Sequence, residues 1–180
     1  MIKLPSNINK IAKSFPTNSD ALLHPKSYFR CVYSYLSQSK RFLEIGYRKG
    51  IFVEICKYLN IFSIHVDITD KLLRAIPTKQ NACFTTDSLK YLSSCRDRFD
   101  LIFQDGAKVY KTRKKEYDLI MQNNILAEGG IILVDDLHYP SCFKAFKYAV
   151  SRYKLVHSKK LVYDKNEYYL GVLREKSNSP

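Results

Sequence analysis

The sequence contains no tryptophan and only 2 methionines, 6 glycines and 6 prolines, and its acidic residues are scarce, 17 Asp and Glu against 30 Lys and Arg. It also lacks any run of about eighteen uninterrupted apolar residues, so no membrane-spanning helix is expected. The opening MIKLPSNINK has neither an apolar segment nor a small-residue cleavage site, and no secretory leader is expected from it. Cysteine is sparse: Cys31, Cys56, Cys83, Cys95 and Cys142 are scattered, with no CxxC pair and no histidine at metal-ligand spacing. That pattern argues against a disulfide framework or a zinc site and for reduced thiols in a cytoplasmic protein.

What the chain does have is apolar mass. Apolar residues make up 46% and aromatics 13% of its 180 residues, with 14 Tyr and 10 Phe, enough to build a core and exclude global disorder. The length favours one domain. The formal net charge of +13 raises affinity for any polyanion, whether nucleic acid, membrane headgroups or an anionic small substrate. A chain rich in Lys, Tyr, Ile, Asn and Ser can also reach that charge by compositional bias alone.

Residues 1–19 hold Pro5, Pro16 and scattered Asn, Ser and Lys, and are expected to form a loose arm. Residues 20–175 read as a single domain without repeats, low-complexity stretches or linkers, and 176–180 as a frayed tail. ALLHPKSYFRCVYSYL carries apolar residues at helical intervals and predicts a helix before the sheet. Strand and helix periods then alternate. RFLEI (41–45) is a strand, and Phe52, Ile55, Cys56 and Leu59 mark the buried stripe of the helix after it. IFSIHV (61–66) is followed by a short helix in TDKLLRAI, stopped by Pro77. NACFT leads into DSLKYLSS, with Asp87 as N-cap. DLIFQ (100–104) precedes a basic helix ending near Leu126, and a Glu128-Gly129-Gly130 turn announces IILVD. A helix over 141–152 and two strands joined around Asp164–Asn166 complete the chain.

This alternation predicts an α/β fold of the Rossmann-like, doubly wound kind. The sheet should be seven-stranded and mostly parallel, with a C-terminal antiparallel hairpin and helices on both faces. Ligands of such sheets bind at the carboxyl ends of the strands. There the sequence places Gly46 and Gly50, glycines that allow a tight turn and close backbone approach. Asp67, after the second strand, can accept hydrogen bonds from ribose hydroxyls, which points to a nucleoside-containing cofactor; it can equally cap the next helix. Asp105 ends the fourth strand, and Asp135 and Asp136 end the fifth. Three carboxylates on one rim repel one another unless a cation lies between them, and Mg²⁺ takes oxygen ligands of this kind. Lys108 sits at the same mouth, where partial desolvation beside a metal can lower its pKa enough for a base. It also opens the cluster Lys108, Lys111, Arg113, Lys114 and Lys115, most of which is expected to be a solvated helix face.

FLEIGYRKG, IHVDIT, TTDSLKYL, FDLIFQDGAKVY and LAEGGIILVDDLHYP, taken in order, resemble the successive motifs of class I S-adenosylmethionine-dependent methyltransferases over roughly residues 28–174. QDGAK paired with VDD is similar to the metal-dependent O-methyltransferases of the catechol, caffeoyl-CoA and sugar-modifying groups. The resemblance implies that Glu44, Gly46 and Gly50 shape the methionine and ribose pocket. It implies that Asp67 holds the ribose hydroxyls, that Asp87 and Ser88 flank the adenine, and that Asp105, Asp135 and Asp136 ligate Mg²⁺, with Lys108 at the position of the base. Four departures stand out: Arg48 replaces a glycine and Phe52 a small hydroxyl residue, and, against the sugar-modifying relatives, Lys108 stands where His is usual and Ala107 where an acidic residue precedes it. The first two are expected to narrow the cofactor pocket. The segment after Asp136 is too short for an elaborate lid.

The leading expectation is Mg²⁺-assisted O-methylation of a small hydroxylated acceptor, with an anionic acceptor and a homodimer both compatible with the sequence. The second is a nucleic-acid-directed methyltransferase using Lys111–Lys115 and the face of Lys144, Lys147 and Arg152. Against it, the chain lacks the Pro-Pro-Tyr or Pro-Pro-Phe motif of base N-methyltransferases and the Lys-Asp-Lys-Glu pattern of ribose methyltransferases. The third is a non-catalytic binding module that kept the fold.

Overall fold

Short apolar runs become strands, and the 3.6-residue stripes between them become helices. The computed structural model describes residues 5–14, 26–48, 50–69, 76–153, 158–163 and 166–174. The strands are β1 (Arg41–Ile45), β2 (Phe62–Asp67), β3 (Asn81–Thr85), β4 (Phe99–Gln104), β5 (Leu126–Val134), β6 (Ser158–Tyr163) and β7 (Asn166–Arg174). The helices are α1 (Ser6–Ser14), α2 (Lys26–Leu36), α3 (Ile51–Leu59), α4 (Ser88–Ser94), α5 (Tyr110–Gln122) and α6 (Pro140–Tyr153). The sheet order is β3-β2-β1-β4-β5-β7-β6. β1 to β5 pair in parallel, and β7 runs antiparallel to both β5 and β6, as the alternation predicts.

Alternation along the central strands divides the core in two. Phe42, Leu101, Phe103 and Leu133 face α1, α2 and α3, where they pack on Ile8, Val32, Leu36, Phe52 and Ile55. Leu43, Ile45, Ile102, Ile132 and Val134 face the other layer and pack on Leu92, Tyr117, Ile120, Ala145 and Phe146 from α4, α5 and α6. Each such large apolar side chain contributes about 1.5–3 kcal/mol on burial. Among the described residues no helix is long and apolar enough to cross a membrane.

Part of the expected loose arm is helical, while residues 1–4 and 15–19 lie outside the described residues. Residues 6–14 form α1, with Ile8 fully buried and Ile11 packed beside it, an i, i+3 pair that anchors the helix on the core. The basic helix ends at Gln122 rather than near Leu126, because Asn124 turns left-handed at φ 52° and Leu126 already begins β5. Glu128-Gly129-Gly130 is a bulge inside β5 and not a turn before it: Phe99 pairs with Leu126 while Leu101 pairs with Ile131. Gly129 absorbs the extra length at φ 69°. Most of the short helix expected in TDKLLRAI, the hairpin turn at 164–165 and the tail 176–180 lie outside the described residues.

Register places the site. Ile45 pairs with Val66 and Gln104, Asp67 with Thr85, and Gln104 with Val134. Gly46, Asp67, Asp105 and Asp135 therefore stand side by side at one rim.

Candidate active site

A cavity of about 640 Å³ opens at that rim, a size suited to one small organic ligand or cofactor. Gly46, Asp67, Asp87, Ser88, Asp105, Lys108, Asp135 and Asp136 all line it. Gly46 has φ 95°, and a Cβ there would lie 2.6 Å from the Asp105 carbonyl carbon and 2.9 Å from Gly106 Cα. Only glycine lets the turn after β1 pass so near the turn after β4.

Asp67 is held before any ligand arrives. Its Oδ2 accepts the Arg48 N–H at 3.0 Å and its Oδ1 the Thr69 N–H at 3.1 Å. Each oxygen keeps a further lone pair for a hydroxyl donor. Arg48 takes φ 44°, the left-handed conformation that the missing glycine would adopt without steric cost. It lines the cavity, whereas Phe52 does not. Phe52 is buried with its ring edge-on to Phe42 and Phe103, at 6.3 Å and 5.4 Å between centroids, so the expectation that it narrows the pocket is corrected. Asp87 caps α4 as expected, accepting N–H bonds from Leu89 at 2.8 Å and Lys90 at 3.2 Å.

Two residues expected at the cofactor pocket do not line the cavity. Gly50 serves as the left-handed N-cap of α3. Glu44 alternates to the opposite face of the sheet, where its Oε2 meets His65 Nδ1 at 2.5 Å and His65 Nε2 meets Ser63 Oγ at 2.7 Å. Burial raises the Glu44 pKa against the lowering effect of His65. Ser88 does line the cavity, but its hydroxyl donates to buried Glu116 at 2.6 Å.

The three carboxylates do converge: one oxygen from each of Asp105, Asp135 and Asp136 lies within 4.8 Å of the others. The Asp136 N–H donates to Asp135 Oδ1 at 2.6 Å, and Asp136 sits at φ 64°, turning its carboxylate back toward the rim. Burial, followed by repulsion from Asp135, Asp136 and Glu44, pushes the Asp105 carboxyl well above the usual range; Arg113 opposes this. Two cations already face the cluster. Lys108 Nζ lies 3.1 Å from Asp136 Oδ2, and Arg113 Nη2 lies 3.8 Å from the same oxygen. Burial pulls the Lys108 pKa down, but Asp136 and Tyr139 outweigh it and the net direction is upward. The lowering expected of Lys108 beside a bound metal is opposed by Asp136 and Tyr139.

Arg113, expected on a solvated face, is fully buried. Its Nε donates to the Ala107 carbonyl at 2.6 Å and its Nη1 to the Asp135 carbonyl at 2.7 Å, tying the loop after β4 to the end of β5. Glu116 is its buried neighbour on α5, accepting from Gln104 Nε2 at 2.5 Å. The readable signal is period: Arg113, Glu116, Tyr117 and Ile120 share the inward stripe of α5, where a charged residue requires a buried partner. His138 and Tyr139 complete the mouth, their rings 4.2 Å apart.

The donor set fits a hard divalent cation. All the donors are oxygen, and a cation between them would relieve the repulsion from Asp135 and Asp136 that helps raise the Asp105 pKa. The cavity equally fits an adenosyl group, with a carboxylate ready for ribose hydroxyls and a turn that admits no side chain at Gly46.

The chain has the fold of several solved methyltransferases. It is similar to an O-methyltransferase from Bacillus cereus in complex with S-adenosylhomocysteine (TM-score 0.67, 13% identity, 98% of this chain and 93% of that one). It is also similar to the N-methyltransferase NodS from Bradyrhizobium japonicum WM9 with S-adenosyl-L-homocysteine (TM-score 0.67, 14% identity, 94% and 96%). A third likeness is to the O-methyltransferase TomG from Streptomyces achromogenes in complex with S-adenosylmethionine (TM-score 0.65, 14% identity, 98% and 92%). No protein-family model matches the sequence, and no curated protein does.

Proposed function

We propose that the protein is an S-adenosylmethionine-dependent methyltransferase that methylates a hydroxyl oxygen of a small acceptor with the help of a divalent cation such as Mg²⁺. The observation that carries this reading is one cavity lined both by Asp67, with free lone pairs on both oxygens, and by the Asp105, Asp135 and Asp136 cluster. The hard-oxygen cluster favours a hydroxyl over an amine, because a hydroxyl has to be ionised to become a good nucleophile. The scattered cysteines, with no CxxC pair in the sequence, fit a reducing, cytoplasmic setting.

When bound, the cofactor supplies a methyl group on a sulfonium and the cation supplies positive charge that favours the ionised acceptor hydroxyl. A bound cofactor would give up its methyl group to the acceptor oxygen and keep the C–S electron pair on sulfur, and the hydroxyl proton would leave to water. The chain's own residues do the positioning. Asp67 fixes the ribose end, while Gly46 keeps the β1 turn clear of a side chain. Asp105, Asp135 and Asp136 would hold the cation, and Arg113 braces the loops that carry them. Lys108, held as an ammonium by Asp136, supplies charge at the acceptor side; it serves as the base only once that proton is released.

Calorimetry with S-adenosylhomocysteine tests the cofactor half. Micromolar binding is expected, and no heat at millimolar ligand would sink the reading. Titration of Mg²⁺ into wild type and Asp135→Asn tests the cation half, with saturable binding expected only in the wild type.

A further inference from the structure

α5 and α6 pack side by side over one face of the sheet, and both begin at the cavity. Lys108 precedes α5 and Tyr139 precedes α6, and both line the opening. Running away from that opening, the outer surface of the pair carries exposed Lys111, Lys115, Lys144, Lys147 and Arg152.

This surface has no exposed carboxylate to balance it. α6 contains no acidic residue, Glu116 is buried, and Asp118 is engaged by Lys114 at 2.9 Å and by the Tyr148 hydroxyl at 2.6 Å. Among the described residues none of the five exposed cations forms an ion pair. Half-buried cations elsewhere do, as in Arg41–Asp97 and Lys57–Glu54. Lys144 and Lys147, two of the five, lie over rings, as do the ion-paired Lys108 and Lys114. Lys114 Nζ lies 4.3 Å from the Tyr148 centroid and Lys144 Nζ 4.8 Å from that of Tyr110, both crossing between the helices. Lys147 lies 4.6 Å over Phe143, and Lys108, at the rim, 4.4 Å over Tyr139. Phe143 and Tyr139 remain 42% and 39% exposed, so part of each ring is open to a further partner.

Unneutralised ammonium groups interleaved with open aromatic rings suit a ligand that alternates phosphates with flat bases. Phosphates bind the former, and unstacked bases stack on the latter. A membrane surface fits less well, since it needs a contiguous apolar face and, among the described side chains of α6, Phe143 is the one large apolar group exposed. A duplex hides its bases and has no use for the rings.

We infer that the α5–α6 face binds single-stranded nucleic acid. Binding to this face does not rest on the function proposed above.

The test is fluorescence anisotropy of the full chain with a labelled 12-nucleotide RNA, the same sequence as single-stranded DNA, a hairpin duplex, and phosphatidylserine vesicles. A single strand should bind at least tenfold tighter than the duplex or the vesicles, with affinity falling steeply as salt rises. The variant K111Q/K115Q/K144Q/K147Q should bind at least thirtyfold more weakly at 0.1 M salt. Its log–log salt slope should be shallower by about 3, near 0.7 for each lost phosphate contact. Phe143→Ala should weaken binding about fivefold or more without changing the slope. Equal affinity of the quadruple variant and wild type, or a preference for duplex or vesicles, would overturn the proposal. Calorimetry with S-adenosylhomocysteine on the same samples keeps the two readings apart. Strand binding without cofactor binding removes the methyltransferase assignment and leaves the surface; the reverse removes the surface alone.

Discussion

Arg113 Nη2 and Asp136 Oδ2 lie 3.8 Å apart, the guanidinium fully buried and the carboxylate nearly so. The same guanidinium donates to the carbonyls of Ala107 and Asp135, so one side chain from α5 holds both loops that carry the acidic cluster. Replacing it with an apolar residue strands a buried carboxylate and two carbonyls. Arg113→Leu should lower the unfolding free energy by about 3–5 kcal/mol in urea denaturation. Millimolar Mg²⁺ should restore part of that loss, because the cation then supplies the missing charge, and Arg113→Lys should need less of it.

Gly46 is the closest approach between the two halves of the rim. Gly46→Ala puts a methyl into the Asp105 backbone at a φ that alanine resists, at a cost of about 3 kcal/mol. Thermal denaturation measures that loss, and calorimetry should show S-adenosylhomocysteine binding weakened at least tenfold.

Phe52 separates core from pocket. Phe52→Ala should cost about 3–5 kcal/mol through the cavity it leaves between Phe42 and Phe103. At a temperature where the variant stays folded, its affinity for S-adenosylhomocysteine should stay within twofold of wild type. A tenfold change would mean that the ring does reach the cofactor.

Glu116 predicts a pH dependence. Burial raises its pKa above the ordinary value of 4.5, against the lowering effects of Ser88, Gln104 and Arg113. The folded state therefore holds the proton to higher pH than the unfolded chain does. Its contribution to stability is largest at low pH and is lost as pH rises from about 4.5 through the raised folded value. Glu116→Gln removes this titration, so the stability of wild type relative to the variant should fall with rising pH over that window.

The framework was legible because it follows from two periods. The runs at 41–45, 81–85 and 100–104 matched the strands to within a residue, and carboxylates at strand ends had to converge once the order was set. What stayed hidden depended on tertiary partners. Glu44 and Phe52 belong to motifs that resemble a cofactor pocket, yet strand alternation and helix phase turn both to the far face. Arg113 sat inside a basic run, and only the inward stripe of α5 distinguishes it from its solvated neighbours. The direction of the Lys108 pKa depended on an Asp136 carboxylate 3.1 Å away, a distance no sequence spacing reveals. α1 was missed because two isoleucines in a polar, proline-flanked stretch make a faint stripe until a core is there to receive them.

The sheet order has a kinetic consequence. β1 and β2 are neighbours in sequence, as are β4 and β5, but β1 meets β4 only across more than fifty intervening residues. Asp67 belongs to the first unit and Asp105, Asp135 and Asp136 to the second, so the cavity comes into being at the seam that closes over the longest loop. Pairings of that kind are slow to form. A ligand that touches both units therefore acts as a clasp on the last-made join, slowing its reopening, and its main signature in a refolding experiment should be a slower unfolding arm.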